Sequence, residues 1–324
     1  MKAKEHPRIR LEGRTNLAEA IPLDTPLHVF IDPSAACNFK CKFCFNADKS
    51  RTHHEIMPFP LFVKIIEDLK KFPHKLKAIR LYGFGDPLMN KRLPDMVEYT
   101  KRACVTDFVE FTTNGWWLNP ELNRKLVEAG LDAITISLPG LNEKKVKEVC
   151  GQEVNIFQYY SNVADFYENK GNCQVRIKLT NYDLTQGDTE LFYSLFGDIC
   201  DEISIDNVVP IWPGIQGDIK VPEKNIYMRE IEPVEVCPYI FYHLMINANG
   251  DVSTCFVDWE HLNLLGNVKT DSLVDIWNGE KLKEIRLDQL YGIKSGICRD
   301  CNQLKFGQPD SIDEHRKEIL ERLK

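Results

Sequence analysis

Seven of the eleven cysteines in this 324-residue chain fall into two sets whose spacing suits metal chemistry. Cys37, Cys41 and Cys44 lie within eight residues as CxxxCxxC. A structural zinc ion or a closed iron–sulfur cluster takes four thiolates or imidazoles. Three thiolates in one tight loop instead leave one iron of a four-iron cluster open to a chelating ligand. Cys41 and Cys44 also have the CxxC spacing of a zinc or thioredoxin-like site, but His53 and His54, nine residues and more beyond Cys44, make no compact pair of further ligands. Cys237, Cys255, Cys298 and Cys301 supply four thiolates: one before an expected β-hairpin, one at its end, and a CxxC after a helical stretch. By spacing alone, a zinc ribbon-like staple suits that set. Cys104, Cys150, Cys173 and Cys200 stand singly and are expected as small buried apolar side chains.

The elements that must position these cysteines alternate between short β-rich runs and helical stretches from Leu27 to Pro210. Strands are expected at 28–32, 78–83, 108–113, 133–138, 174–180 and 202–208, and helices at 59–72, 91–103, 119–130, 155–170 and 187–200. Asn119-Pro120 reads as an N-cap and first helical position, and Gly130 and Gly171 as C-cap glycines. Such alternation implies parallel strands with right-handed crossovers, in an open doubly wound sheet or an incomplete barrel. The strands choose between these. In QVRIKLT, Val175, Ile177 and Leu179 alternate with Arg176, Lys178 and Thr180, and AITISL and EISIDNV alternate likewise. A strand between two helical layers is apolar on both faces. One polar face each fits a curved sheet with helices outside and a polar lumen.

The expected fold is therefore α/β: an N-terminal extension (1–26), a partial (β/α)6 barrel (27–210) and a Pro- and Gly-rich linker (211–236). A small C-terminal α+β cysteine domain (237–309) follows, with a hairpin turning at Asn249-Gly250-Asp251, and then a short charged helix (310–324). With 43% hydrophobic and 27% charged residues the composition is that of a globular chain. A net charge of −7 gives no global electrostatic case for nucleic-acid binding. No apolar run approaches the ~20 residues of a membrane span, and the N-terminus lacks the apolar stretch of a secretory signal. The expected compartment is the cytoplasm, where thiols stay reduced and eleven cysteines are not explained by disulfides.

On these motifs the chain resembles the radical S-adenosylmethionine (SAM) superfamily over residues 27 to 210. That family places CxxxCxφC after its first strand, with an aromatic φ near the adenine, and Phe43 stands at that position. Gly83-Phe84-Gly85-Asp86-Pro87-Leu88, after strand two, is similar to the family's GxGEPL form, whose backbone receives the SAM amino group; Asp86 replaces the usual Glu. Thr112-Thr113-Asn114-Gly115 ends strand three like the family's TNG. Ser137-Leu138-Pro139-Gly140 ends strand four, where Ser137 is a candidate for a ribose hydroxyl and Pro139 removes the usual acidic partner. Arg176, Lys178 and Thr180 on strand five are candidates to face the SAM carboxylate. The resemblance thus implies a 4Fe–4S cluster on Cys37, Cys41 and Cys44, with Phe43, Gly83, Gly85, Asp86, Asn114, Ser137 and Lys178 around SAM.

The second set, in the order cysteine, hairpin, cysteine, helix, CxxC, resembles the SPASM/twitch extensions that carry auxiliary 4Fe–4S clusters. No cysteine follows Cys301, so the match is to the single-cluster twitch form, the 2-deoxy-scyllo-inosamine (cyclitol) dehydrogenase type. Four protein thiolates leave the auxiliary iron without a vacant site, which argues for electron transfer. The resemblance implies a 5′-deoxyadenosyl radical that abstracts hydrogen, and two-electron oxidation of an alcohol carbon in a sugar, cyclitol or related small molecule. A reducing flavodoxin or ferredoxin is the implied partner. Asp206, Arg229 and His243 are candidates for a base or substrate anchor. The alternatives are peptide modification, a redox-neutral epimerisation with hydrogen returned from Cys150 or Cys173, and a non-catalytic iron–sulfur or zinc scaffold.

Overall fold

A computed structural model of the chain describes residues 1–5, 13–215, 219, 221–226, 228–307 and 310–324. Parts of the expected N-terminal extension (6–12), linker (216–218, 220 and 227) and C-terminal boundary (308–309) lie outside the described residues. Strand β1 (Lys4–Glu5) and one turn of helix, α1 (Leu17–Ala20), come first. Strands and helices then alternate: β2 (His28–Ile31), α2 (Phe59–Leu69), β3 (Ala78–Arg80), α3 (Leu93–Ala103), β4 (Val109–Thr113), α4 (Pro120–Glu128) and β5 (Ala133–Leu138). Next come α5 (Glu143–Cys150), α6 (Ile156–Glu168), β6 (Gln174–Thr180), α7 (Gln186–Phe196) and β7 (Glu202–Asp206). The C-terminal part contributes β8 (His243–Ile246), β9 (Asp251–Ser253), β10 (Leu264–Asn267), α8 (Leu273–Asn278), α9 (Glu280–Tyr291), α10 (Gln303–Phe306) and α11 (Arg316–Leu323).

Strands β2 to β7 pair in parallel in chain order, and the sheet does not close. It is a partial barrel. Its polar lumen follows from the alternation: in β6, Ile177 and Leu179 are fully buried in the core with Phe192 and Phe196 of α7, whereas Arg176 and Lys178 line the lumen. The cap signals of α4 act where they were expected, while α6 is capped at Asn169 and Gly171 lies two residues further on. Asn119 Oδ1 accepts from Leu122 N, Pro120 opens α4, and Gly130 and Gly171 have φ of +85° and +56°.

Three features lie outside the expected elements, although α5 carries its own signals in the Asn142 N-cap and Gly151 at φ +71°. Strand β1 pairs in parallel with the β7 edge. Helix α5 follows β5 directly. At the other edge, β8 pairs in parallel with β2, so β8, β9 and β10 extend the barrel sheet into ten strands and do not stand apart as a separate hairpin. Among the described residues no helix is long and apolar enough to cross a membrane.

Candidate active site and iron–sulfur sites

The first cysteine loop leaves the carboxyl end of β2 and is clamped from two sides. Lys40 N donates to Cys150 O at 2.9 Å and Lys42 N to Val149 O at 3.0 Å, using the last carbonyls of α5. On the other side Asp86 N donates to Ala36 O at 2.9 Å, which draws the glycine loop onto the cysteine loop. Asn46 Nδ2 donates to Phe84 O at 2.8 Å, and the buried Arg51 guanidinium donates to Asn46 Oδ1 and to Ala35 O. Asn46 and Arg51 were not legible as site residues; their only signal is that they follow the cysteines closely.

These loops and the ends of β4 and β5 enclose a cavity of about 250 Å³. It is lined by Cys37, Cys41 and Cys44 together with Phe43, Gly83, Gly85, Asp86, Asn114 and Ser137. Asp86 is already well engaged: it accepts from Leu88 N (3.0 Å), Thr113 Oγ1 (2.8 Å) and Asn114 N (2.7 Å). Its carboxylate thus joins the glycine loop to the end of β4, and burial, opposed by these donors, raises it to about 6. Asn114 continues the connection, donating through Nδ2 to Asn38 Oδ1 at 2.9 Å in the cysteine loop. Lys178 is not brought here. It lines an adjoining lumen cavity of about 420 Å³ and pairs with Asp206 Oδ2 at 3.4 Å. Phe30, Tyr82, Thr112, Ile211 and Phe256 line both cavities, so the two are neighbours in one barrel.

The thiols carry donors suited to cluster ligation. Asn46 N and Nδ2 lie 3.5 and 3.6 Å from Cys44 Sγ. In the second set Asn263 Nδ2 donates to Cys298 Sγ and Gln303 N to Cys301 Sγ, each at 3.3 Å. N–H groups aimed at sulfur stabilise thiolates and tune a bound cluster. Burial pushes the free thiols of Cys37 and Cys298 up to about 12, with Asp86 and then Cys44 adding to the rise at Cys37 and Cys301 and then Asp258 at Cys298; binding iron replaces the proton.

Other expected residues lie elsewhere. Arg229 is exposed on a turn bonded to Asn225, and Cys150 and Cys173 are buried and line neither cavity, Cys150 lying close enough to Cys41 to raise its thiol. Cys104 is not buried as expected: it ends α3 in the left-handed conformation (φ +53°) with its side chain in solvent. His243 is fully buried outside both cavities, among the rings of Phe30, Tyr239, Tyr242 and Phe256. That setting lowers its imidazole to about 3, chiefly by burial. Below pH 6.5 the unfolded chain binds a proton that folded His243 refuses until about pH 3, so stability falls as pH falls through that window. His243→Phe is expected to flatten the loss of melting temperature between pH 6.5 and 4, removing up to ~1.4 kcal/mol per pH unit. Equal acid slopes for both proteins would contradict it.

Comparison with known proteins decides what the constellation is. A model described as the radical SAM superfamily matches residues 31–189, and one described as an iron–sulfur cluster-binding (SPASM) domain matches residues 237–302. The chain belongs to the radical SAM superfamily. As a radical SAM protein with a SPASM domain it uses SAM, a 4Fe–4S cluster and an auxiliary cluster. A relative in Pyrococcus furiosus, the tungsten-containing aldehyde ferredoxin oxidoreductase cofactor-modifying protein, is 24% identical over 315 residues, covering 85% of this chain and 87% of its own. The fold is shared with BtrN crystallised with AdoMet and 2-DOIA (TM-score 0.56, 18% identity, 88% of this chain and 96% of BtrN). It is also shared with Streptococcus suis SuiB bound to precursor peptide SuiA (TM-score 0.65, 18% identity, 90% of this chain and 73% of SuiB).

Proposed function

We propose that this radical SAM enzyme oxidises an alcohol carbon of a sugar, cyclitol or related small molecule held in the lumen. The observation that carries the reading is the lumen wall. Tyr239, Phe256 and Gln303, each one or two residues from Cys237, Cys255 or Cys301, line the 420 Å³ cavity. The auxiliary cysteines therefore stand directly behind the space available to a substrate, and that space is of small-molecule size. The reading takes 27–210 as the barrel, 211–236 as the linker and 237–309 as the auxiliary-cluster domain, with 1–26 and 310–324 as flanks.

When bound, the open-iron cluster with SAM supplies a hydrogen-abstracting 5′-deoxyadenosyl radical, and the closed cluster on Cys237, Cys255, Cys298 and Cys301 an acceptor for one electron. The chain's own residues do the rest. Phe43, Gly83, Gly85, Asn114 and Ser137 shape the SAM cavity, with Asp86 holding two of its walls together. The paired groups Arg80–Glu110 and Lys178–Asp206 offer charged hydrogen-bonding partners to substrate hydroxyls. Of the candidate bases, Asp206 adjoins the lumen through its ion-pair partner Lys178, and the pair is assigned the hydroxyl proton. The aromatic surfaces of Phe30, Tyr82 and Phe256 exclude water. A flavodoxin or ferredoxin in the cytoplasm supplies the starting electron.

The test is anaerobic turnover on a panel of sugars and cyclitols deuterated at each carbinol carbon. Deuterium is expected in 5′-deoxyadenosine and a carbonyl in the product, in equal amounts. In Cys298→Ala/Cys301→Ala, at saturating SAM, 5′-deoxyadenosine should still form while carbonyl product falls at least ~100-fold. Solvent deuterium entering the product without net oxidation would instead identify an epimerase. The Pyrococcus furiosus relative favours a second reading, in which the substrate is a cofactor precursor; deuterium transfer from no member of the panel would support it.

A further inference from the structure

We infer that Trp259 is a positioning residue through which the auxiliary-cysteine domain holds the roof of the SAM cavity. The inference rests on the proposal that the 250 Å³ cavity receives SAM. After β7 the chain runs beside the cavities, Ile211 lining both and Trp212 this one, and the stretch from Pro210 to Pro213 is the roof. Two side chains from the C-terminal part hold this stretch in place. The buried indole of Trp259 donates from Nε1 to Pro213 O at 3.0 Å, and Asn302 Nδ2 donates to Pro210 O at 3.1 Å. Trp259 lies four residues after Cys255, and Asn302 directly follows Cys301. The roof is thus pinned at both points beside auxiliary cysteines.

Trp259 also reaches the first cysteine loop. Its ring stacks on Phe45, the neighbour of Cys44, with centroids 5.6 Å apart and planes 27° apart. Trp212 meets the same Phe45 ring edge-on at 4.5 Å. One indole therefore fixes the roof by a hydrogen bond and the cluster loop by a stack. The turn that carries it is suspended between two auxiliary cysteines. Cys255 begins it, and Asp258 folds it by accepting from Leu262 N (2.8 Å) and Asn263 N (2.9 Å). Asn263 then donates to Cys298 Sγ at 3.3 Å. Gly296 has φ +53°, and a Cβ there would stand 1.7 Å from Asn263 Oδ1, so the amide has its place beside Cys298 only because a glycine faces it. Cluster loading on Cys255 and Cys298 fixes both ends of this turn, hence Trp259, hence the roof. The auxiliary domain accordingly sets SAM affinity at a site to which it contributes no iron ligand.

The experiment measures SAM binding to the full-length, cluster-loaded chain by anaerobic equilibrium dialysis, with iron content checked in each variant. Trp259→Phe keeps the ring on Phe45 and removes the N–H donor; it is expected to weaken SAM about fivefold, as loss of one buried hydrogen bond does. Its KM for SAM should rise by the same factor while kcat at saturating SAM stays within about twofold. Trp259→Leu removes the stack as well and should weaken SAM about twentyfold. Trp212→Ala, which opens the roof directly, is the reference. If Trp212→Ala weakens SAM and neither Trp259 variant does, Trp259 is packing alone and the coupling is wrong. If Trp212→Ala is also without effect, the cavity does not hold SAM and the underlying assignment fails. Should Trp259→Leu lose iron, Trp259→Phe, which keeps an aromatic ring at the position, decides.

Discussion

Replacing Cys37, Cys41 and Cys44 together by alanine is expected to halve the iron of the anaerobically reconstituted protein, from about eight to about four atoms per chain, and to abolish SAM cleavage. The two losses have one cause. Three thiolates leave the fourth iron open, and that vacancy is what SAM can chelate, so without the loop's sulfurs both the cluster and its ligand lose their anchor. The remaining iron should be unaffected, because Cys298 and Cys301 have their own donors from Asn263 and Gln303 and none of the four auxiliary cysteines lies in the first loop. Iron, sulfide and zinc analysis of both proteins checks this. About four irons and one zinc in the wild type would make the second set a structural staple. The proposed oxidation would then lack its electron acceptor, and a redox-neutral reaction would replace it.

What the sequence disclosed, and what it did not, divides along sequence distance. Strands β5 and β6 run from 133 to 138 and from 174 to 180 as expected, because full alternation marks both their ends. Strand β3 was expected through residue 83 and ends at Arg80: Leu81 N still donates to Glu110 O at 2.8 Å, and the chain bends from Gly83 into the glycine loop over Asp32. Six of the seven expected SAM-cavity residues line one cavity because the family's motifs all sit at strand ends, and parallel pairing brings strand ends together. Lys178 lines the adjoining cavity for a related reason: alternation gives the face of the sheet but not the depth along the lumen. The pairing of β8 with β2 joins residues separated by more than two hundred positions, and the clamp from α5 onto the cysteine loop uses only main-chain atoms. Neither leaves a trace in residue type. Trp212 and Trp259 were visible as aromatic residues, yet only their contact with Phe45 distinguishes roof and brace from ordinary core.

Gly85→Ala is expected to weaken SAM binding at least ~100-fold and to destabilise the fold by ~1–3 kcal/mol, the range of an overpacked site. A Cβ at position 85 would stand 2.2 Å from both Ser34 O and Ala36 O and 2.6 Å from the Ala35 carbonyl carbon. All three are main-chain atoms, and they cannot swing aside. Ala35 N is bonded to Glu55 O at 2.8 Å, Ala35 O receives the Arg51 guanidinium, and Ala36 O receives Asp86 N. The glycine loop must therefore lift off the cysteine loop, taking with it Asp86 and the wall that Asp86 ties to Thr113 and Asn114. Gly83→Ala provides the contrast. Its Cβ would meet the Met245 methyl at 2.4 Å, which can rotate away, and Asp32 Cβ and Cγ at 2.8 and 2.9 Å, which must shift by a few tenths of an ångström; with no main-chain atom in the way a smaller loss is expected. Gly140→Ala meets only the Lys145 stem and one backbone carbon at 3.2 Å and should change SAM affinity least. Equilibrium dialysis of the three loaded variants, with iron content and melting temperature as controls, orders them. Retention of SAM within fivefold of wild type by Gly85→Ala would mean that the glycine loop does not form the SAM wall. An order that followed iron loss rather than loop geometry would shift the role of Gly85 from the SAM cavity to cluster assembly.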